Sequence, residues 1–186
     1  MGRADALKDL NALTNLKLNL GASNVTSIDA LKGLNALTNL ELDLGASKVS
    51  SIDALKDLNA LTNLTLSLDE SRVSVDALRD LKGLTNLTLS LDASNVSSID
   101  ALKGLNAPTN LTLSLDASRV SIHALKDLNA LTNLSSLKLR LSSSVDLTFL
   151  QSFHLQTLNI TDPLPYPLYR LPKSLRSLAL SDGSNQ

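Results

Sequence analysis

The chain has no cysteine and no tryptophan, and only two tyrosines and two phenylalanines among 186 residues. Without cysteine there can be no disulfide, no thiolate metal site and no cysteine nucleophile. The aromatic residues, Phe149, Phe153, Tyr166 and Tyr169, all fall in the last quarter. Large aromatic side chains dominate most interface hot spots, so a partner surface earlier in the chain must rely on other chemistry. The net charge is −1, which supplies no general attraction to nucleic acid or to an anionic membrane, and neither is expected as a partner. No apolar run approaches the ~18 residues of a membrane-spanning helix. The start, MGRADALKDL, has no apolar core of a signal peptide. Met-Gly is the opening of a myristoylation signal, but the sixth residue is Ala6 where Ser or Thr is wanted.

What the chain does have is a repeat. LTNLTLSLD, Leu61 to Asp69, returns as Leu84 to Asp92 and as PTNLTLSLD from Pro108. Earlier versions are LTNLKLNLG from Leu13 and LTNLELDLG from Leu37, and an altered one begins at Leu131. Leu64, Leu66 and Leu68 alternate with Thr65, Ser67 and Asp69, a period of two that places leucine on one face of a strand and small polar residues on the other. Thr62-Asn63 before the strand reads as turn chemistry. Ala6, Ala30, Ala54, Ala77, Ala101 and Ala124 are equivalent, so the steps are 24, 24, 23, 24 and 23 residues. The short steps drop one residue in the turn after the strand, which predicts an altered bend and an unchanged strand register. The other half of each unit, of the type SIDALKDLNAL, predicts short helices over residues such as 30–35 and 54–59. Asp29, Asp53, Asp76 and Asp100 stand as their N-caps, and His123 replaces that cap in the last regular unit. Pro108 replaces a leucine and removes an N–H.

A period in the range of about 20–50 residues is the mark of a solenoid. Laid out from Ser23, the second unit reads S-x-V-x-x-I-x-x-L-x-x-L-x-x-L-x-x-L-x-L-x-L, with Val25, Ile28, Leu31, Leu34, Leu37, Leu40, Leu42 and Leu44 as its apolar positions. This resembles the leucine-rich-repeat family, and most of all its short internalin-like and protein-phosphatase-regulator-like class. The pattern departs from that class in two ways. An extra x-Leu pair lengthens the strand, and the family's inward ladder Asn is serine, at Ser23, Ser47, Ser71, Ser94 and Ser118. The resemblance implies that these side chains bond the backbone of neighbouring coils, with the shorter reach of a hydroxyl. It also implies an α/β solenoid, or horseshoe, with a parallel concave sheet and short helices on the outer side. The whole chain, 1–186, reads as one such domain, regular over about 5–141 and irregular over about 142–183. LSSLKLRL and LQTLNI are expected strands in the irregular part, Thr161 to Pro172 an extended connection, and LPKSLRSLALSDG a unit of a different subtype. The chain starts inside a unit and ends without a capping motif, so a fragment of a longer protein is expected.

In a solenoid, equivalent residues stack about 4.7–4.9 Å apart, which gives the sheet three polar columns. They are Lys17, Glu41, Thr65, Thr88 and Thr112; Asn19, Asp43, Ser67, Ser90 and Ser114; and Gly21, Gly45, Asp69, Asp92 and Asp116, with Lys138 and Arg140 continuing the first two. Lys17 and Glu41 are expected to pair. Three stacked carboxylates repel unless neutralised, and Arg72 and Arg119, three residues after Asp69 and Asp116, are placed to do so. A calcium ion wants six to eight oxygens, more than one column offers. Lys8, Lys32, Lys56, Arg79, Lys103 and Lys126 form an outer basic column interleaved with Asp9, Asp57, Asp80 and Asp127, a solvated mixed-charge face. His123 and His154 lie more than a repeat apart and neither has a nucleophile's geometry around it. No catalytic site, cofactor or metal is expected. Asn-x-Ser/Thr occurs at Asn24, Asn63, Asn86, Asn95, Asn110, Asn133 and Asn159. Stacked glycans would crowd the sheet, which argues for a cytoplasmic or bacterial setting.

The resemblance implies a non-catalytic recognition module of the receptor-like or scaffold kind, holding a protein partner on the concave face. The expected contact residues are Thr65, Ser67, Asp69, Thr88, Ser90, Asp92, Thr112, Ser114, Asp116 and Arg140. Two alternatives stand beside it. One is a spacer or assembly element that self-associates through its open sheet ends, in keeping with the scarcity of aromatics. The other is a binder of a regular surface, ice or a glycan, through its Thr-x-Ser ladders.

Overall fold

The leucine–polar alternation builds one five-residue strand in every coil. A computed structural model of the chain describes residues 7, 9–141, 147–161 and 171–181. Eight strands lie within these residues: β1 (Asn15–Asn19), β2 (Asn39–Asp43), β3 (Asn63–Ser67), β4 (Asn86–Ser90), β5 (Asn110–Ser114), β6 (Ser136–Arg140), β7 (Thr157–Thr161) and β8 (Ser177–Ser181). They form one parallel sheet in chain order. The register pairs Leu64 with both Leu40 and Leu87, so the 24- and 23-residue steps hold the same alignment. The expected strands in the irregular part, within 134–141 and 155–160, are β6 and β7. The connection after Thr161, including Tyr166 and Tyr169, lies mostly outside the described residues, as does Lys8.

The extra x-Leu pair of each unit extends the pairing beyond the strand proper. Leu68 N–H donates to Ser90 C=O at 2.9 Å, and Glu70 N–H to Asp92 C=O at 2.9 Å. The same two rungs recur from Leu44 and Ala46 and from Leu91 and Ala93. The chain then turns through a left-handed residue: Ala22, Ala46, Glu70, Ala93 and Ala117 have φ between +50° and +56°. Such a conformation costs an L-residue with a Cβ about 1–2 kcal/mol.

The outer half of each coil departs from the expected helices. It is built mostly of 3₁₀ turns, Asp29–Leu31, Asp53–Leu55, Asp76–Asp80, Asp100–Gly104, Asp127–Ala130 and Thr148–Ser152, with one α-helix among the described residues, α1 (Ile122–Lys126). The cause is the spacing. Val25, Ile28, Leu31, Leu34 and Leu37 recur every three residues. Three residues of an α-helix fall about 60° short of a full turn, whereas three residues of a 3₁₀ helix complete one. Successive i→i−3 bonds follow the leucines: Leu31 N–H to Ile28 C=O at 2.9 Å, Leu34 to Leu31 at 3.2 Å and Leu37 to Leu34 at 3.0 Å. All these leucines therefore point into one continuous core with the strand leucines. Pro108, which takes a leucine's place, is itself buried.

The caps differ as well. Asp29, Asp53, Asp76 and Asp100 are the first residues of their turns, and none of the turns they open has a side-chain N-cap bond. The serine two places earlier receives their N–H instead, as in Ser51 Oγ to Asp53 N at 3.0 Å and Ser98 Oγ to Asp100 N at 3.1 Å. Where His123 stands, Ser121 caps α1 by accepting from Ala124 N–H at 3.3 Å. The replacement changes the kind of turn and leaves it capped.

Candidate interaction surface on the open sheet face

The face of the sheet turned away from the leucine core carries a polar side chain at the first, third and fifth position of each regular strand. The first position is a column that sequence reasoning took for a turn. Asn39 Nδ2 donates to Asn15 Oδ1 at 2.6 Å, Asn63 to Asn39 at 2.6 Å, Asn86 to Asn63 at 2.5 Å and Asn110 to Asn86 at 2.6 Å. Each amide also bonds the preceding threonine hydroxyl, as Asn63 Nδ2 does with Thr62 Oγ1 at 3.0 Å. That hydroxyl in turn donates to the threonine carbonyl one coil back, Thr62 Oγ1 to Thr38 O at 3.1 Å. The signal available in the sequence was the recurrence of T-N at one repeat position, which stacks an amide donor over an amide acceptor from Asn15 to Asn110.

The third position opens with Lys17 and Glu41, whose side chains pair at 2.6 Å as expected. Thr65, Thr88 and Thr112 follow on β3, β4 and β5, in register. Thr65 is exposed and the other two are half-buried. Exposed Lys138 comes next, on β6. A depression of about 500 Å³ overlies the start of this face, lined by Asn15, Lys17, Asn39, Glu41, Asn63 and Thr65 among others.

The fifth position and the residues just beyond it interlock. Asp69 Oδ1 accepts from Ser90 Oγ at 2.6 Å and from Asp92 N–H at 2.9 Å, while its Oδ2 accepts from Ser67 Oγ at 3.1 Å. One coil on, Asp92 Oδ1 accepts from Ser114 Oγ and from Asp116 N–H, each at 2.8 Å. Arg140 closes the row, 3.6 Å from Asp92 Oδ2 and 3.3 Å from Asp116 Oδ2. The repulsion of three stacked carboxylates is thus relieved by hydroxyls, backbone N–H groups and Arg140. Arg72 and Arg119, expected to do this, pair with none of the three among the described residues. All ten residues expected as contacts lie on or beside this face, and seven of them are already bonded to one another.

The outer charges pair mostly along the turns, with one pair across coils. Lys32–Asp29, Lys56–Asp53 and Lys103–Asp100 are each 2.6 Å, Arg79–Asp76 is 3.0 Å, and Lys103 also reaches Asp127 at 2.8 Å. The hydrogen bond from Lys56, reinforced by Ser51, holds the Asp53 carboxyl below its ordinary value, and Lys103 with Ser98 does the same for Asp100. The Asp partners raise Lys32, Lys56 and Lys103 in return. The mixed-charge reading of this side holds, with the aspartates that open the turns, and Asp127, as the partners.

The inward serines do not form the expected ladder. Ser23 and Ser47 accept from the N–H two residues on, at 3.3 Å and 3.4 Å. Ser71 and Ser94, 6% and 2% exposed, have hydroxyls with no partner. From this inward position the Ser71 and Ser94 hydroxyls do not reach the next coil's backbone. In the tail, Phe149 and Phe153 pack edge to face at 6.0 Å. Two depressions of about 430 and 340 Å³ flank Phe153 and His154. Among the described residues there is no group of three or more His, Asp or Glu placed to hold a metal ion, and no helix is long and apolar enough to cross a membrane.

No protein-family model matches this sequence, and no curated protein sequence does. Solved structures do. Internalin C2 from Listeria monocytogenes superposes with a TM-score of 0.67 at 26% identity, covering 94% of this chain and 74% of its own. The plant peptide hormone receptor RGFR1, solved in complex with RGF2, gives a TM-score of 0.52 at 18% identity over 95% of this chain and 34% of the receptor.

Proposed function

With the chain a leucine-rich-repeat solenoid, we propose that it is a non-catalytic recognition module that takes a protein partner on the open face of its sheet. The observation that carries this reading is the division of labour among the columns. The amides of Asn39 to Asn110 bond one another, and the Ser/Asp row from Ser67 to Arg140 is likewise self-satisfied. Thr65, Thr88 and Thr112, between these rows, have hydroxyls engaged in no such bond among the described residues, with exposed Lys138 beyond them. Two rigid rows therefore frame a line of available hydroxyls. A preorganised surface loses little side-chain entropy when a partner binds. The partner best suited to it is an extended peptide segment crossing the strands, its backbone groups meeting the threonine hydroxyls and an acidic group meeting Lys138. Asp69, Asp92, Asp116, Ser67, Ser90, Ser114 and Arg140 form one flank of the contact.

The test is affinity capture with three baits: the chain itself, Thr88→Lys on the face, and Lys126→Glu on the outer side. The Thr88 hydroxyl makes no hydrogen bond that the fold needs, so the first variant should keep its melting temperature. A partner retained by the chain and by Lys126→Glu, and lost by Thr88→Lys, is the expected result. Retention by both variants would move recognition off this face.

A further inference from the structure

We infer that the chain binds a linear acidic polysaccharide, one whose acidic rings alternate with neutral ones, along the edge of the solenoid where the chain leaves the strands. This edge is distinct from the open face of the sheet, and it carries a column of cations without counter-ions.

After the left-handed residue of each coil comes the inward serine, and the next side chain points outward. In successive coils that side chain is Asn24, Lys48, Arg72, Asn95 and Arg119, all exposed. Its direction is fixed by its neighbours. Ser71 and Val73, 6% and 4% exposed, hold Arg72 outward, and buried Ser94 and Val96 do the same for Asn95. The coils are in backbone contact here. Asn95 N–H donates to Ser71 C=O at 2.9 Å. Two residues ahead of the column, the N–H groups of Ala46, Glu70 and Ala93 reach the next coil at 2.8, 2.9 and 2.7 Å. The column therefore keeps the sheet's spacing of about 4.8 Å per coil.

Lys48, Arg72 and Arg119 make no ion pair among the described residues. The aspartates of the same coils are committed elsewhere, Asp53 to Lys56, Asp76 to Arg79 and Asp116 to Arg140. Glu70, exposed in the turn before Arg72, is the carboxylate that opposes the column. Three cations in a row raise the local concentration of a polyanion, and a guanidinium takes a carboxylate through two parallel N–H bonds.

The order of the column selects among polyanions. Arg72 and Arg119 both sit in units that are one residue short. Between them stands a longer unit that offers the Asn95 amide and the exposed Ser97 hydroxyl. Two guanidinium groups two coils apart, about 9–10 Å, thus flank neutral hydrogen-bonding groups. An extended acidic peptide repeats its same-face side chains every ~6.6 Å, which matches neither one coil nor two. Single-stranded nucleic acid is held largely by stacking on aromatic side chains, and the chain has no Phe, Tyr or Trp before Phe149. A polysaccharide in which a uronic acid alternates with a neutral, amide-bearing sugar sets a carboxylate on every second ring, with hydroxyl and amide groups on the ring between. That is the order of Arg72, Asn95 with Ser97, and Arg119.

Calorimetric titration with a hyaluronate oligosaccharide, with uncharged dextran and with a poly-glutamate carrying the same number of carboxylates tests this. Hyaluronate should bind and dextran should not. Poly-glutamate should bind more weakly than hyaluronate despite its denser charge. Arg72→Ala and Arg119→Ala should each weaken hyaluronate binding by about threefold to fivefold, the upper range for an exposed ion pair. Glu70→Gln, which removes the opposing carboxylate, should tighten it. Lys173→Ala, which removes an exposed cation of the tail, should leave it unchanged. All four positions are exposed, so the variants should melt with the parent. No binding of hyaluronate, an equal loss from Lys173→Ala and the arginine variants, or tighter binding of poly-glutamate, the mark of an acidic peptide partner, would each overturn the proposal.

Discussion

Replacing Asn63 by alanine isolates the contribution of the amide column. The side chain makes three hydrogen bonds: Nδ2 to Asn39 Oδ1 at 2.6 Å, Nδ2 to Thr62 Oγ1 at 3.0 Å, and Oδ1 from Asn86 Nδ2 at 2.5 Å. A net bond contributes about 0.5–1.5 kcal/mol to folding. Asn63 is half-buried, so water replaces part of what is lost and the lower half of the range applies. Asn63→Ala should therefore cost about 2 kcal/mol. In a chain of this size, 1 kcal/mol moves the melting temperature by roughly 2–4 °C, so a fall of about 4–8 °C is expected. Asn24, exposed and outside the column, serves as the control, and Asn24→Ala should change little.

Asn63→Asp sharpens the test. It keeps the acceptor toward Asn86 and removes the donor toward Asn39, setting a carboxylate oxygen against Asn39 Oδ1. At neutral pH the loss should exceed that of alanine. Below pH about 4 the carboxyl protonates and its O–H donates again, so the aspartate variant should recover ground relative to alanine. Thermal melts followed by circular dichroism at both pH values decide the matter. An Asn63→Ala variant within about 0.5 kcal/mol of the parent, or an Asn63→Asp variant with no pH dependence relative to it, would refute the reasoning, because ordinary surface substitutions fall in that range.

Ala93, at φ +52°, carries left-handed strain, and Ala93→Gly should stabilise the chain by about 0.5–1 kcal/mol once glycine's greater unfolded freedom is subtracted; denaturant titration showing a loss would remove the strain argument. Ser71 buries a hydroxyl with no partner, so Ser71→Ala should be neutral or stabilising by about 1 kcal/mol, and a clear destabilisation by the same titration would point to a bond that the hydroxyl does make. The depressed Asp53 and Asp100 carboxyls contribute stability that is present above their ordinary value of 3.8 and is lost as pH falls through their lower folded values. The raised Lys32, Lys56 and Lys103 contribute stability present below 10.5 and lost as pH rises through their higher folded values. These groups should thus add no slope to the melting temperature between these limits, and because each is exposed, the drop they cause at either limit should be small and salt-sensitive.

The strands, their order and their register were legible because two periods coincide: leucine at every second residue within a strand, and the strand at every 23–24 residues along the chain. Pattern reading failed where a period of three was taken for a helix's 3.6. Val25-Ile28-Leu31-Leu34-Leu37 satisfies 3₁₀ geometry, and the expected helices over 30–35 and 54–59 became turns over Asp29–Leu31 and Asp53–Leu55. Failures of the second kind concern reach. Asp29 and its equivalents look like caps by residue type, but the serine two places earlier is nearer the free N–H, which leaves the carboxylate to the lysine three places on. Arg72 and Arg119 are close to Asp69 and Asp116 in sequence, yet Arg140, a full coil away, stands in the next strand beside Asp116. Along this edge of the sheet, stacking makes Asp116 a closer neighbour of Arg140, one repeat away, than of Arg119, three residues away. That same fact hid the amide column, since Asn63 finds its partners 24 residues back and 23 residues ahead.

The bonding pattern also constrains how this face can have any specificity at all. A polar residue repeated at one position of a stacked sheet has its own copies as its nearest partners. If donor and acceptor both lie within its side chain, as in Asn, the column satisfies itself and offers little to a ligand along its length. If it carries charge of one sign, as in Asp69, Asp92 and Asp116, the column must recruit other groups, here the serines and Arg140, and these are then committed too. A hydroxyl column is different. Threonine side chains spaced at about 4.8 Å are too far apart to bond one another directly, so Thr65, Thr88 and Thr112 keep both donor and acceptor capacity for a visitor. The breaks in that column then become the discriminating features. Lys17 and Glu41 neutralise each other at one end, whereas Lys138 at the other has no acidic partner among the described residues. On the proposed reading, a ligand would be oriented by that asymmetry, with its acidic end toward β6. For the same reason a regular lattice is a poor fit: ice or a glycan would need the hydroxyl row to continue through the positions that Lys17, Glu41 and Lys138 occupy.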